Sequence, residues 1–315
     1  MLLARAVATL VGLQLLERSG DPQSARSRAL ARWKHWTPAA SYFHLSTRDG
    51  HVRASSEDRQ QEATVTGWSR GPVVKSYPDR PRVRLPFPSH DGELPRTLLR
   101  RRTWRRFARE RVTKEQLGTL LGLTFGVQTW CDIEGFGRVA MKTAPSGGAQ
   151  HPIEAYVIAP RIAGVPPGVY HYNAGTHHLE RLRTKATRRE ITRYLNGQTW
   201  CGGAAAVVIM TAVFARTQWK YPASRAYRTV LIEAGHVCQT FCLVATWLGL
   251  APFCTMALTE STIERTLGID GVSEAVLYAA GVGVPPADAD TILAAGPEGR
   301  RIPNRFIGNA GGSER

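Results

Sequence analysis

The sequence predicts an α+β fold. Apolar runs typical of strands and one long stretch of helical periodicity occur in the same chain. They do not alternate strictly, as the strands and helices of a βαβ protein do. A chain of 315 residues with 43% hydrophobic and 21% charged residues can bury a large core. This composition excludes a mainly disordered or fibrous protein.

The predicted organisation is an arm, a folded domain and a tail. Residues 1–95 are rich in Arg, Ser and Pro and show no sustained period, which predicts an irregular, basic arm. Within it, residues 71–88 carry five prolines, too many for a helix or a central strand, so this stretch should run extended over another surface. The folded domain is predicted at 96–295 and a loose tail at 296–315.

The elements of the domain follow from local patterns. Thr113, with Gln116 three residues later, forms a capping box that opens a helix. Its predicted buried stripe is Leu117, Leu120, Leu121 and Phe125. Strands are predicted at 151–159, at 204–214, where the run is continuously apolar and therefore central, and at 275–283; GVYHYN and HHLERL form a hairpin around a turn at 173–176.

The longest predicted helix follows Pro222, with Ser224 as its N-cap and Gly249 as its C-terminal stop. Its apolar residues recur at spacings of three and four. They are Ala226 or Tyr227, Val230, Leu231, Ala234, Cys238, Phe241, Cys242 and Ala245. Four polar residues interrupt this helix, and we expect a second copy of the chain, rather than a metal, to satisfy them: Arg225, Glu233, His236 and Gln239.

The formal net charge is +16, and most of it lies in the first third, where 22 basic and 10 acidic residues precede position 112. RRTWRRF at 101–107 places four arginines in seven residues. Guanidinium groups so arranged can neutralise a phosphate dianion by forked hydrogen bonds. A solvated basic face is the alternative interpretation.

Five cysteines without a CxxC pair favour reduced thiols in a cytoplasm and do not support a zinc site. We expect Cys238 and Cys242 to be core residues. The first twenty residues have the length of a secretion signal, but polar residues interrupt the apolar run and a clear cleavage site is lacking. No uninterrupted apolar stretch reaches about 18 residues, so neither a membrane span nor a membrane partner is expected.

Two further motifs carry candidate chemistry. In TAPSGGAQHP at 143–152, Ser146 offers a hydroxyl, and Gly147 and Gly148 let backbone N–H groups approach a flat or anionic ligand. A plain turn before a strand would explain the glycines equally well. Lys220 and Tyr221 are predicted in a loop between a buried strand and the long helix, where a side chain can project from a rigid frame; a surface dipeptide is the alternative.

Three histidines at or near the predicted hairpin are interpreted as surface or packing residues. They are His171, His177 and His178.

Taken in order, these motifs resemble the flavin-dependent nitroreductase superfamily, and within it the SagB-type dehydrogenases that oxidise thiazolines and oxazolines in ribosomal peptides. The resemblance spans about residues 40–290. The superfamily's RRSxRxF appears as RRTWRRF, with Thr103 in place of Ser. The branch's PSGGxxHPxE, PGxYHY and RxYRxxxxEAGHxxQ appear as PSGGAQHPIE, PGVYHY and RAYRTVLIEAGHVCQ.

The resemblance implies a mostly antiparallel sheet flanked by helices, in an intertwined homodimer that binds FMN at the shared interface. Four residues would hold the phosphate, ribityl chain and pyrimidine edge: Arg101, Arg102, Thr103 and Arg105. Four would lie against the isoalloxazine: Pro145, Ser146, Gly147 and Gly148. Lys220 and Tyr221 match the branch's catalytic Lys-Tyr pair.

The implied reaction removes a proton and a hydride from an azoline ring. A tyrosine hydroxyl has an ordinary pKa near 10, and an adjacent ammonium group favours its phenolate, which could act as the base. The implied partners are a peptide substrate and a cyclodehydratase of the same pathway. The alternatives are an NAD(P)H-dependent FMN reductase of nitro, quinone or dehydroamino-acid substrates and a nucleic-acid-binding protein. The second is disfavoured, because no nucleic-acid-binding module is recognisable.

Overall fold

The computed structural model describes residues 2–12, 16, 31–34, 36, 38–50, 74–86, 88, 91–135 and 137–287. The chain divides into two compact units, residues 1–50 with 100–299 and residues 51–99 with 300–315. The predicted tail at 296–315 lies outside the described residues. All the strands found among the described residues lie in the first unit.

A six-stranded antiparallel sheet is the centre of the first unit, in the order β5-β4-β3-β6-β8-β7, and β1 and β2 form a separate hairpin. The strands are β1 (Thr129–Ile133), β2 (Gly137–Met141), β3 (Ile153–Ala159), β4 (Gly168–Asn173), β5 (His178–Arg183), β6 (Ala206–Val213), β7 (Ala251–Thr255) and β8 (Glu274–Gly283). The predicted strands and the predicted hairpin are confirmed.

Helices cover both faces of this sheet, which confirms the α+β fold. The helices are α1 (Leu2–Gly12), α2 (Pro38–Ser46), α3 (Glu93–Arg100), α4 (Lys114–Phe125), α5 (Arg188–Tyr194), α6 (Phe214–Lys220), α7 (Ala226–Trp247) and α8 (Glu260–Leu267). In β6, Val208 and Met210 pack in the core cluster that contains α4 and α7, whereas Val207 and Ile209 pack in the cluster of α5 and α8. A strand covered on both faces favours apolar residues at almost every position, and only Thr211 of β6, whose hydroxyl donates to Glu274, is polar.

Helix α4 begins as predicted. The Thr113 hydroxyl accepts from the Gln116 backbone N–H at 3.1 Å, and the Gln116 side chain accepts from the Thr113 N–H at 3.0 Å. The four predicted stripe residues are all buried. The capping box and the buried face are therefore confirmed.

Helix α7 differs from prediction in two details. It begins at Ala226 with Arg225 at the N-cap, so the predicted Ser224 N-cap is wrong. A tight turn in which the Ala226 N–H donates to the Ala223 carbonyl delays the helix. Leu231, predicted in the buried stripe, is 38% exposed. Gly249 follows the helix with a φ of +72°, as expected for a C-terminal stop.

Among the described residues, α7 is also the one helix whose length and apolar composition would allow it to cross a membrane. The core helix of a globular domain can have the same composition. Its face from Val230 to Ala245 is buried in the core, and it packs on β7 and β8. We therefore assign it to the core.

The N-terminal segment is less irregular than its sequence predicts. Trp33 and Trp36 are each 3% exposed and belong to the core of the first unit. The Trp33 indole N–H donates to the Val272 carbonyl at 2.9 Å, and in α2 the His44 ring is 3.0 Å from the Tyr227 hydroxyl. Aromatic packing against distant elements orders this stretch. Because these contacts are long-range, they produce no periodic pattern of apolar residues in the sequence. The domain boundary at residue 95 stays a prediction.

In the second unit, residues 74–86 form neither helix nor strand and are exposed. Helix α3, which has no buried residue, follows at Glu93.

Candidate active site

The loop at 145–148 is held by hydrogen bonds from within the chain. The Ser146 hydroxyl accepts from the His151 backbone N–H at 2.8 Å. The Gly147 backbone N–H donates to the Glu233 carboxylate at 2.8 Å. One of the N–H groups that the sequence offered to a ligand is therefore already bonded to α7.

Packing and backbone conformation around the loop both disfavour a side chain at Gly147 or Gly148. A Cβ atom on Gly148 would lie 2.6 Å from the Lys220 Nζ, and the residue has a φ of +62°. A Cβ atom on Gly147 would lie 3.0 Å from the Thr229 methyl group and 3.7 Å from the Tyr221 ring. The fold thus brings the PSGG loop against Lys220 and Tyr221, residues more than seventy positions away.

Lys220 and Tyr221 lie at the end of α6 rather than in a loop. Lys220 is the last residue of this short helix, which sequence reasoning missed, and Tyr221 is its C-cap. The Lys220 ammonium group donates to the Gly148 carbonyl at 3.4 Å. The Tyr221 carbonyl accepts from the Trp36 indole N–H at 3.2 Å, and the residue is 36% exposed. The N-terminal segment therefore helps to position the backbone of this pair.

Glu233 corrects one expectation for α7. It is 3% exposed, and its partner is Gly147 of the same chain, so a second copy is not needed to satisfy it. Burial raises the pKa of this carboxyl group, which the hydrogen bond from Gly147 opposes. The other three polar residues of the set, Arg225, His236 and Gln239, are exposed.

The arginine segment is anchored through its backbone. The Trp104 N–H donates to the Pro252 carbonyl beside β7, and the Ala108 N–H donates to the Val284 carbonyl, both at 2.9 Å. Trp104 is buried, whereas Arg101, Arg102 and Thr103 are half-buried. The segment therefore lies along the β7–β8 edge of the sheet.

The arginine side chains face polar and aromatic surroundings. Arg105 lies over the Trp200 ring, 5.6 Å from its centroid, in a cavity of about 580 Å³. Four more arginines line this cavity: Arg106, Arg109, Arg161 and Arg188. Of the four arginine-segment residues predicted to hold a cofactor, Arg105 lines this cavity, whereas Arg101, Arg102 and Thr103 are not among its lining residues. Guanidinium groups gathered in this way are a suitable donor set for a phosphate.

The PSGG loop and the arginine segment, the two candidate cofactor regions, both approach α7, at different positions along its axis. Glu233 of α7 bonds the PSGG loop, and Arg101 lies close enough to Cys242 of α7 to act on its thiol electrostatically. Nine residues of helix separate Glu233 and Cys242, about 13 Å at 1.5 Å per residue. Only an elongated ligand, or one bound with help from a second copy, could touch both regions.

A polar network beside the loop was not predicted. Glu154 of β3 pairs with Arg216, and its carboxylate is 3.0 Å from the His171 ring, which also contacts Glu180 at 2.9 Å. The hydrogen bonds to Glu154 and Glu180 raise the pKa of His171 to about 9. Arg216 also donates to the His151 carbonyl at 2.9 Å, which links the network to the loop. The sequence feature that could have indicated this network is Glu154 itself, a single charged residue among the apolar residues of β3.

His151 and the other two predicted surface histidines differ from His171. Burial, with the nearby Lys142 charge, lowers the pKa of His151 to about 4. His177 lies 2.7 Å from the Tyr172 hydroxyl, and His178 contacts the Thr176 carbonyl at 2.6 Å. The last two therefore make local packing contacts, as expected.

Comparison with known proteins places these features in one family. The Nitroreductase family model matches residues 98–284, more than half of the chain. A protein of Methanocaldococcus jannaschii named as a nitroreductase is 33% identical over 172 residues, which cover 55% of this chain and 82% of that protein.

Two relatives are named for peptide processing. The trifolitoxin-processing protein TfxB of Rhizobium leguminosarum is 33% identical over 147 residues, 45% of this chain and 39% of that protein. The microcin B17-processing protein McbC of Escherichia coli is 30% identical over 132 residues, 40% of this chain and 48% of that protein. Each match spans less than half of the relative.

Solved structures share the fold. A protein of Anabaena variabilis named as a nitroreductase gives a TM-score of 0.52 at 28% identity, covering 61% of this chain and 38% of that one. A chain of the Escherichia coli microcin synthetase McbBCD complex, solved with truncated pro-MccB17 bound, gives 0.54 at 21% identity, covering 85% of this chain and all of that one. The resemblance drawn from the motifs is confirmed, and this chain belongs to the nitroreductase family.

Proposed function

We propose that this protein is an FMN-dependent dehydrogenase that converts thiazoline or oxazoline rings to thiazoles or oxazoles in a peptide natural product. Family membership supports flavin-dependent oxidoreductase chemistry. The similarity to two peptide-processing proteins supports a peptide substrate. The observation that carries the proposal is the contact of the PSGG loop with Lys220 and Tyr221.

The residues present fit FMN. The arginines and the Thr103 hydroxyl form a donor set suited to its phosphate, and the loop offers a surface without side chains at Gly147 and Gly148. In this proposal Arg101, Arg102, Thr103 and Arg105 hold the phosphate, ribityl chain and pyrimidine edge. The loop residues that lie against the ring system are Pro145, Ser146, Gly147 and Gly148.

The chain's own residues supply position and proton transfer. FMN held by these residues would supply the acceptor for the hydride that leaves the ring carbon. Tyr221 removes the proton from the neighbouring carbon, which bears the peptide carbonyl. Lys220 lies next to Tyr221 in the chain and donates to the Gly148 carbonyl, so its ammonium group stays close to the loop. Dioxygen is the proposed final acceptor of the two electrons.

A homodimer is part of the proposal. Besides Leu231, Ile232 and Trp247 of α7 are 57% and 47% exposed, an apolar surface that a second copy would cover. Light scattering of the flavin-loaded protein at micromolar concentration should give the mass of a dimer. A flavin-loaded monomer would remove this part of the proposal.

A cyclodehydratase that makes the azoline ring is the proposed partner. It is supported by the McbBCD complex, in which a chain of this fold was solved with a peptide precursor. The cytoplasm is the proposed location, which the five free cysteines favour.

The decisive experiment combines spectroscopy with mass spectrometry. The purified protein should be yellow, with about one FMN per chain, and it should remove two hydrogens per ring from an azoline-containing peptide. Rapid bleaching of the flavin by NADPH, without any loss of mass from the peptide, would favour an FMN reductase. A colourless protein that binds random DNA in a salt-sensitive way would contradict both.

A further inference from the structure

Three cysteines come together beneath the arginine segment. Cys238 and Cys242 are one turn apart on α7, and Cys254 is on the adjoining strand β7. Their three sulfur atoms all lie within 4.8 Å of one another. The predicted assignment of Cys238 and Cys242 to the core is confirmed by their burial, but it did not foresee the third thiol.

This spacing is close to that of a metal site. A zinc–sulfur bond is about 2.3 Å long, which places two sulfurs of a tetrahedral site about 3.8 Å apart. Small rotations of the cysteine side chains, which move each sulfur atom by at most about one ångström, would bring the sulfurs to this distance. The first two positions are on a rigid helix and the third is on a strand that packs against it, so the backbone already brings the ligands together.

The surroundings favour bound metal over a plain apolar contact. Cys238 and Cys242 are 2% and 4% exposed, whereas Cys254 is only half-buried, which leaves a side open for entry. The Tyr278 hydroxyl lies close to the Cys254 sulfur, which places an oxygen beside the cluster. Three thiolates around a divalent cation carry a net negative charge, and the Arg101 guanidinium is close enough to offset it.

We propose that Cys238, Cys242 and Cys254 form a binding site for a thiophilic d¹⁰ cation, either Zn²⁺ or Cu⁺. Thiolates select these ions over harder cations. On binding, each thiol transfers its proton to solvent and its sulfur forms a bond to the metal, with no change of oxidation state. Arg101 is shared by the two proposals, but the three thiols take no part in the proposed flavin chemistry. Metal binding and azoline oxidation can therefore fail independently.

The test uses the full-length protein, reduced and stripped with a chelator. Zn²⁺ is titrated in competition with a chromophoric zinc chelator, and Cu⁺ in competition with a copper(I) chelator under anaerobic conditions. The same samples are alkylated before and after metal addition, and mass spectrometry identifies the protected cysteines. We expect one equivalent of one of these ions per chain and metal-dependent protection of Cys254, the half-buried thiol of the cluster. Cys131 and Cys201, which lie outside the cluster, should not gain protection on metal addition.

Variants separate the cluster from other thiols. Cys254→Ser should lower the metal affinity by more than roughly 10- to 100-fold. That is the loss caused by replacing a residue that only hydrogen-bonds to a metal ligand. Cys131→Ser and the buried Cys201→Ala should bind as the wild type does. If Cys254→Ser fails to fold, the alkylation pattern of the wild type decides. Absence of binding at micromolar free metal, or binding that survives in folded Cys254→Ser, would overturn the proposal.

Discussion

The PSGG loop and the arginine segment are the two regions proposed to hold the cofactor, and different bonds hold them in place. The loop is tied through buried charged and polar groups, with Glu233 on the Gly147 N–H and Lys220 on the Gly148 carbonyl. The arginine segment is tied through two backbone hydrogen bonds, from the Trp104 N–H to the Pro252 carbonyl and from the Ala108 N–H to the Val284 carbonyl, and through the buried Trp104 ring.

This difference separates two tasks. A region whose charged side chains serve as supports loses its shape when they are replaced. A region held by its backbone can lose an arginine and keep its fold, so the loss should appear mainly in ligand affinity. Substitutions should therefore affect chemistry or stability at the loop and binding at the arginine segment.

The largest effect should come from Tyr221→Phe. Only a hydroxyl is lost, so the fold and the flavin content should remain, whereas azoline oxidation should fall about 10²–10⁴-fold because the base is missing. Lys220→Ala should do similar damage, and the double variant should be little worse than either single one, because the two act as a unit. Peptide mass spectrometry measures all three. Full activity in Tyr221→Phe would contradict the catalytic role and favour the alternative interpretation of Lys220 and Tyr221 as a surface dipeptide.

At the arginine segment, Arg102→Ala should lower FMN affinity roughly ten- to hundredfold. A charge-assisted hydrogen bond contributes about 1.5–3 kcal/mol. The free energy of unfolding of the Arg102→Ala protein without flavin should fall by less than this, because backbone hydrogen bonds hold the segment. Arg138→Ala is the matched control, since Arg138 pairs with Asp132 on an exposed hairpin. Equal flavin affinity in wild type and Arg102→Ala would argue against a cofactor role for this residue.

Glu233→Ala should act on stability. It leaves the Gly147 N–H without its carboxylate partner, at a cost of about 1–3 kcal/mol in the free energy of unfolding. Glu233→Gln keeps an oxygen acceptor and should lose less. Urea denaturation followed by circular dichroism compares the two. Equal losses would show that the charge, and not the hydrogen bond, supports the loop.

The smallest effect concerns pH at the network beside the loop. The pKa of His171 is raised to about 9 from an ordinary value of 6.5, so its stabilising charge is fully present below about pH 6.5 and is lost as pH rises towards 9. Because Glu180 is half exposed, solvent screening should keep the effect under about 1 kcal/mol. His171→Gln should remove this slope from unfolding measurements, whereas His178→Gln should keep it. An unchanged slope in His171→Gln would contradict the assignment.

Prediction from sequence succeeded where one local pattern decides the outcome. The capping box at Thr113 and the continuous apolar run of β6 each specify an element through neighbouring residues. It failed at α6 and at the N-cap of α7, where short turns and packing compete with weak local preferences. The candidate site residues came from motifs, and their roles stay predictions.

The sequence by itself determined the class of fold, most of the strands and the long helix, because apolar periodicity and turn residues act over a few positions of the backbone. Only the tertiary structure decided which distant groups meet. Gly147 bonds Glu233 across 86 positions, Trp36 bonds Tyr221 across 185, and Cys254 joins two cysteines of α7. The order of strands in the sheet and the packing of α7 on it bring these groups together. A pattern confined to neighbouring residues specifies neither.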